Sequence, residues 1–91
     1  MSQDPLIVYS AEWCSDCQAL KSWMDSKGVA YEIRDIQKDM NHRFALREGI
    51  GKEAVPHLLV DGQWIRGYQV GMAFDPRWAE ELFRSLRIPM R

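Results

Sequence analysis

The chain alternates between short apolar runs and longer stretches in which apolar positions recur at helical spacing. Residues 6–9 are rich in β-branched and aromatic side chains, which predicts a buried strand. Residues 15–26 contain neither glycine nor proline and stop just before Gly28, so they predict a helix. Residues 29–36 alternate apolar and polar positions through their middle, which predicts a half-buried strand.

A second helix is expected over residues 40–48. Met40 and Phe44 are four residues apart and share one face of it. Because glycine is favoured just beyond a helix, we expect Gly49 and Gly51 to end this element.

The chain then turns back on itself. The apolar residues 58–60 predict a strand that follows Val55-Pro56, and Asp61-Gly62 is a strong signal for a two-residue hairpin turn. Residues 64–65 begin the returning strand. Residues 67–74 contain two glycines and are predicted to form a loop.

A third helix begins at Asp75, an N-cap residue, with Pro76 at its first position. Its apolar positions follow helical spacing: Trp78, Ala79, Leu82, Phe83 and Leu86. The predicted order is β-α-β-α-β-β-α, an α/β fold with a four-stranded mixed sheet and three helices. We expect one domain over residues 1–91. The loop after the first strand then lies at the carboxyl edge of the sheet, where such folds place their sites.

Composition narrows the class of protein. The chain has 91 residues, of which 46% are hydrophobic and 27% charged, and its formal net charge is −1. This balance gives no attraction to nucleic acid or to an anionic membrane, and no apolar run approaches the roughly 20 residues of a membrane span. Residues 1–5 lack the basic and apolar regions of a signal peptide, so a cytoplasmic location is expected.

Cys14 and Cys17 are the only cysteines, and they lie where the first strand gives way to the first helix. There the unpaired backbone N–H groups and the helix dipole favour a thiolate. Inert packing is one alternative, and a zinc site completed by His42 and His57 is another, although the two histidines lack finger-like spacing. In a reducing compartment, a lone Cys-x-x-Cys pair of this kind favours redox chemistry.

The redox interpretation assigns a role to each cysteine. Cys14 attacks a substrate disulfide, and Cys17 then resolves the mixed disulfide. Glu12 and Asp16 place carboxylates near Cys14 and oppose the helix dipole, and no lysine or arginine lies inside the motif. A less stabilised thiolate makes a better reductant, so we hypothesise a reductase rather than an oxidase.

Other residues near the motif have weaker signals. Trp13 is interpreted as a contact surface for partners because it directly precedes Cys14. Spacing alone leaves the isomer of Val55-Pro56 open, and His57 is expected to be a solvated side chain. The cations of Arg43, Arg47 and Lys52 are candidates for holding a substrate carboxylate, but a solvated helix face is favoured. The five methionines are interpreted as core filler, and Trp23, Trp64 and Trp78 as packing residues.

Several of these segments together carry a family resemblance: Tyr9-Ser10, Cys14-x-x-Cys17, residues 54–57, residues 60–62 and Gly67-Tyr68. In this order and spacing they are similar to glutaredoxins, and they also resemble the small glutaredoxin-like thioredoxins that reduce ribonucleotide reductase. The resemblance implies a thioredoxin fold with a cis Val55-Pro56 bond facing the cysteines. It implies Cys14 as nucleophile, Cys17 as resolving thiol and backbone pairing between Val55 and an extended substrate or glutathione. Trp13, Val55, Pro56, Gly67 and Tyr68 form the expected substrate-binding set.

The chain departs from the glutaredoxin pattern where that family grips glutathione. Ala11 replaces the usual lysine, Ala54 the usual threonine, and Arg66 the first glycine of a Gly-Gly pair. The usual acidic residues are absent at Gln69 and Val70. These departures favour electron supply of the thioredoxin kind, from NADPH through a thioredoxin reductase.

The resemblance also sets the expected partners. We expect disulfide-containing protein substrates, glutathione or thioredoxin reductase as the reductant, a redox-active Cys14–Cys17 disulfide and no bound cofactor, in a monomer that binds neither nucleic acid nor membrane. The alternatives are a glutathione-dependent glutaredoxin, an iron–sulfur or metal carrier using Cys14, and a redox-sensing interaction module.

Overall fold

The computed structural model of the protein describes residues 6–91. Within them, seven elements follow one another in the order predicted from the sequence. They are β1 Leu6–Ser10, α1 Ser15–Ser26, β2 Tyr31–Asp35, α2 Met40–Ile50, β3 His57–Val60, β4 Gln63–Arg66 and α3 Pro76–Ser85. The expectation about a signal peptide in residues 1–5 lies outside the described part of the chain. Among residues 6–91, no helix is long and apolar enough to cross a membrane.

The strands form one sheet in the order β2-β1-β3-β4. β1 is parallel to β2, whereas β1 with β3 and β3 with β4 are antiparallel pairs. The register places Tyr9 opposite His57, and His57 opposite Arg66. This arrangement confirms the predicted four-stranded mixed sheet and puts the ends of β1 and β4 beside the start of β3.

Two clusters of buried side chains hold the helices on the sheet. One joins the β1 residues Leu6 and Val8 to α1 and α3, and there Trp23 meets Phe83 edge-on with their ring centroids 4.9 Å apart. The other joins Tyr9, the two cysteines and Leu46 of α2. Because neighbouring strand residues point to opposite faces, Val8 and Tyr9 belong to different clusters.

One expectation about α2 is wrong: Gly49 does not end the helix. The helix continues through Gly49 to Ile50, and Gly51 caps it in the left-handed conformation with φ 77°, as expected for that glycine. Position 49 requires glycine because the Trp64 indole occupies the space of a side chain: a Cβ there would lie 2.2 Å from that ring. Met40 and Phe44 are 56% and 55% exposed, whereas Leu46 is fully buried, so α2 packs through the face that carries Leu46.

Candidate active site

Cys14 lies at the junction between the end of β1 and the start of α1. It is the N-cap residue of α1, with extended backbone angles of φ −93° and ψ 113°. Its Sγ accepts a hydrogen bond from the Cys17 backbone N–H at 3.2 Å. This N–H is one of those that the first turn of a helix leaves without a partner in the helix. The contact therefore stabilises negative charge on the Cys14 sulfur.

Cys17 occupies the first turn of α1 on the same side. Both cysteines are free thiols and both are buried, with 9% of Cys14 and 4% of Cys17 exposed. Burial raises the pKa of the Cys17 thiol well above its usual range, and its hydrogen bond with Cys14 and the charge of Asp16 act in the same direction. Cys17 therefore keeps its proton while Cys14 receives a backbone hydrogen bond.

The loop before β3 faces this pair through a cis Val55-Pro56 peptide bond. The Cys14 thiol donates a sulfur hydrogen bond to the Val55 carbonyl oxygen, with a separation of 3.7 Å. Behind the loop, the Gly67 N–H donates to the Pro56 carbonyl at 3.0 Å, and a Cβ on Gly67 would lie only 3.0 Å from the same oxygen. The absence of a side chain at Gly67 thus allows the end of β4 to approach the proline.

Trp13 and Tyr68, the two aromatic residues of the expected binding set, differ in exposure. Trp13 is 65% exposed, so its indole is available to a partner and does not pack in the core. Tyr68 is half-buried, with its ring centroid 5.9 Å from that of His57 in an edge-on arrangement. The structure brings Cys14, Cys17, Val55 and Pro56 together. Trp13 lies in the loop between β1 and α1, directly before Cys14.

The expectation that His57 is solvated is wrong. It is 6% exposed, and its Nδ1 lies 2.7 Å from the Ala54 carbonyl oxygen. Burial lowers the pKa of His57, and the nearby charges of Lys52 and Arg66 lower it further. The signal that would have found it is strand alternation, since His57 shares a sheet face with Leu59 in the cluster around Tyr9.

The basic residues differ in their surroundings. Arg47 and Lys52 are exposed, as expected for a solvated face, but Arg43 is half-buried and forms an ion pair with Glu53 at 2.8 Å. Lys38 reaches Glu12 at 2.9 Å from the connection between β2 and α2. The Cys14 loop therefore has a nearby lysine that the motif does not contain. No spacing rule indicated this contact, because it depends on the sheet bringing two loops together.

A cavity of about 400 Å³ lies beside Cys17. Its walls come from the ends of β1 and β2 and the starts of α1 and α2, and they include Lys21, Asp35 and His42. The otherwise buried Cys17 is among the residues that line this largely polar cavity. Within residues 6–91, no group of three or more histidine, cysteine and acidic side chains is placed to hold a metal ion.

A cysteine pair at a helix N-terminus, opposite a cis-proline loop on this sheet, defines a thiol-disulfide oxidoreductase of the thioredoxin fold. The sequence model of the family described as Glutaredoxin matches residues 6–65. The chain belongs to the glutaredoxin family, as the resemblance had predicted. It is 30% identical over 70 residues to glutaredoxin 3 of Escherichia coli K12, covering 77% of this chain and 84% of that protein.

Solved structures agree with this assignment. The thioredoxin-like protein BC3987 superimposes with a TM-score of 0.68 at 26% identity, over 89% of this chain and 97% of the other. A buckwheat glutaredoxin in complex with glutathione gives a TM-score of 0.57 at 26% identity, over 68% of this chain and 59% of the other. Both neighbours have the fold described above.

Proposed function

We propose that this protein reduces disulfides in protein substrates, with Cys14 as nucleophile and Cys17 as resolving thiol. The observation that carries the proposal is the backbone N–H of Cys17 on the Cys14 sulfur at 3.2 Å, beside a Cys17 thiol that burial keeps protonated. The two sulfurs thus differ in their readiness to attack, in the order that the exchange requires.

The exchange proceeds in two steps. The Cys14 thiolate attacks one sulfur of the substrate disulfide, which breaks the S–S bond, forms a mixed disulfide and releases the other substrate sulfur as a thiolate that takes up a proton. Cys17 then loses its proton, through water in the adjoining cavity, and attacks the Cys14 sulfur. The second substrate thiol leaves, and two electrons have passed from the Cys14–Cys17 dithiol to the substrate.

The substrate segment is held against the cis-proline loop. An extended chain forms backbone hydrogen bonds with Val55, and the Gly67 N–H on the Pro56 carbonyl holds the cis-proline loop against the end of β4. The exposed Trp13 indole and the half-buried Tyr68 ring provide apolar contact to the substrate. The bond under attack then lies next to the Cys14 sulfur.

The proposed reductant of the oxidised protein is a thioredoxin reductase supplied by NADPH, in the cytoplasm and without a bound cofactor. Ala11 is fully buried and apolar, so the position offers no cation to a glutathione carboxylate. The exposed Arg66 occupies the position of the first glycine in the Gly-Gly pair of the glutaredoxin pattern. Glutathione as the reductant is the alternative.

Trapping the mixed disulfide tests the assignment of the cysteines. We expect Cys14→Ser to abolish reduction of a protein disulfide such as that of insulin. Cys17→Ser should instead accumulate a stable adduct with the substrate, visible by mass spectrometry. Adduct formation through Cys17 in the Cys14→Ser variant would contradict the proposed roles. Re-reduction of the oxidised wild type is followed separately with glutathione and with NADPH plus thioredoxin reductase, and fast reduction by glutathione alone would reverse the proposed electron supply.

A further inference from the structure

Two exposed cations lie beside the cis-proline loop. The β3–β4 register sets Arg66 directly opposite His57, the residue that follows Pro56. Facing residues in an antiparallel pair point to the same side of the sheet, so Arg66 lies on the same side as His57. Lys52 precedes the loop in sequence, and its charge also acts on His57. We call the group formed by Lys52, Arg66 and the Tyr68 ring the cationic corner. The Tyr68 ring contacts both Arg66 and His57.

Contacts within the cationic corner hold one charge in place. The Arg66 guanidinium carbon lies 5.7 Å from the centroid of the Tyr68 ring, a cation–π distance. Tyr68 in turn meets His57 edge-on, and His57 is anchored to the Ala54 carbonyl. The arginine is therefore oriented by a chain of contacts that ends next to Val55 and Pro56.

The charges of the cationic corner have no acidic partner in the part of the chain that the structure describes. No carboxylate lies within 4.0 Å of Lys52 or Arg66, whereas Lys38 and Arg43 are paired with Glu12 and Glu53. Glu53 is adjacent to Lys52 in sequence, but its carboxylate is held by Arg43. Both cations add to the lowering of the pKa of His57, as a positive field at the loop would.

We propose that the cationic corner selects disulfide substrates that carry acidic side chains close to the reactive cysteine. In this proposal a substrate segment paired with Val55 runs beside His57, the residue on which the charges of both Lys52 and Arg66 act. Acidic side chains next to the substrate cysteine then meet these two charges. This inference rests on the proposed reduction of protein disulfides and adds the substrate class. Because exposed ion pairs are weak and screened, we expect a preference of about threefold to tenfold in kcat/KM at low salt.

Three peptides with the same disulfide and flanking Glu, Gln or Lys residues test the preference. We expect the order Glu, Gln, Lys, carried by KM with little change in kcat, and a smaller spread at high salt. In the Arg66→Gln and Lys52→Gln variants the ratio between the Glu and Gln peptides should shrink. The control is Arg84→Gln, which removes an exposed charge from α3 and should keep the wild-type ratio.

The outcomes separate the two proposals. Equal rates for the three peptides, or an unchanged ratio in Arg66→Gln, would overturn the substrate preference and leave disulfide reduction standing. Failure to reduce any peptide would contradict the proposed function itself. A third outcome is that Arg66→Gln and Lys52→Gln are re-reduced by glutathione more slowly than the wild type while the peptide ratio is unchanged. The cationic corner would then bind the carboxylates of glutathione, and its proposed role in selecting protein substrates would be wrong.

Discussion

Burial shifts the pKa values of two buried titratable side chains at the candidate site, Cys17 and His57, in opposite directions. Removing Cys17 from water penalises its thiolate, which raises the pKa of the thiol, and removing His57 from water penalises its imidazolium, which lowers the pKa of the ring. At neutral pH both groups are therefore uncharged. The cluster around Tyr9 keeps its apolar character although it contains groups that take part in chemistry.

The same shifts determine how stability depends on pH. The folded pKa of Cys17 is raised, so its contribution to stability is present below the unfolded thiol value of 9.0 and is lost as the pH rises above it. The folded pKa of His57 is lowered, so its contribution is present above the unfolded value of 6.5 and is lost as the pH falls below it. Stability should be greatest between these two limits.

Replacing His57 tests the acidic side of this window. We expect the free energy of unfolding of the wild type to fall between pH 7 and pH 5, because the unfolded chain takes up a proton that the buried ring does not. His57→Asn, which keeps a donor for the Ala54 carbonyl, should show a smaller fall in urea titrations at the two pH values. Equal slopes for the wild type and His57→Asn would show that His57 does not cause the loss.

Trp13 gives a prediction at the same scale. Its indole is 65% exposed, so Trp13→Ala should change the free energy of unfolding by no more than about 0.5 kcal/mol. We expect KM for a protein disulfide to rise about threefold to tenfold, from the loss of an aromatic contact of about 1 kcal/mol. A small disulfide that does not reach the indole should react at an unchanged rate. A large loss of stability in this variant would mean that Trp13 packs against the fold.

At the scale of elements, residue types that act locally allowed the order to be predicted. Asp75-Pro76 begins α3, and Asp61-Gly62 forms the turn between β3 and β4. Both signals depend on the backbone preferences of these residues themselves, so they can be recognised without knowing the rest of the fold. The exposure of Phe44 could not be read in this way. Which face of α2 is buried depends on where β4 places Trp64, and that is set by the whole sheet. The cysteine pair was found because its spacing and its position at a helix start are local.

Gly49 and Gly51 make a matched pair for testing α2. An alanine normally stabilises a helix interior by about 1 kcal/mol relative to glycine, but at position 49 its Cβ would overlap the Trp64 indole. We expect Gly49→Ala to lower the free energy of unfolding by about 1–3 kcal/mol, as overpacking does. Gly51→Ala should cost roughly 1–2 kcal/mol for a different reason, since its φ of 77° is left-handed and the space around it is open.

A second substitution separates the two causes. Trp64→Leu removes the ring that Gly49→Ala strikes, so the double variant should lose less stability than the sum of the single variants. The same change beside Gly51→Ala should be additive, because no atom lies within 4 Å of a Cβ at that position. Urea denaturation of the six proteins measures both couplings, and additivity at position 49 would contradict the packing described here.

At the scale of the whole molecule, the sheet separates a cluster that holds the fold from one that also holds the candidate site. Leu6 lies at the start of β1, in the cluster formed with α1 and α3. Leu46 is fully buried in the other cluster, with Cys14 and Cys17 among its buried members and Val55 packed against it. A loss of packing around Leu46 is therefore transmitted to the sulfur positions, whereas one around Leu6 lies at the opposite end of the strand.

Leu6→Ala and Leu46→Ala remove the same atoms from these two clusters. Each should lower the free energy of unfolding by about 2–5 kcal/mol, which a domain stable by about 5–15 kcal/mol survives. In the folded proteins we expect kcat/KM for disulfide reduction to fall only in Leu46→Ala, by about tenfold, because thiol exchange requires close alignment of the attacking sulfur. Urea denaturation and insulin reduction, both at a temperature well below the melting temperature, measure the two effects. Equal losses of activity in both variants would show that the two clusters respond as one core, and that α2 has no separate part in positioning the cysteines.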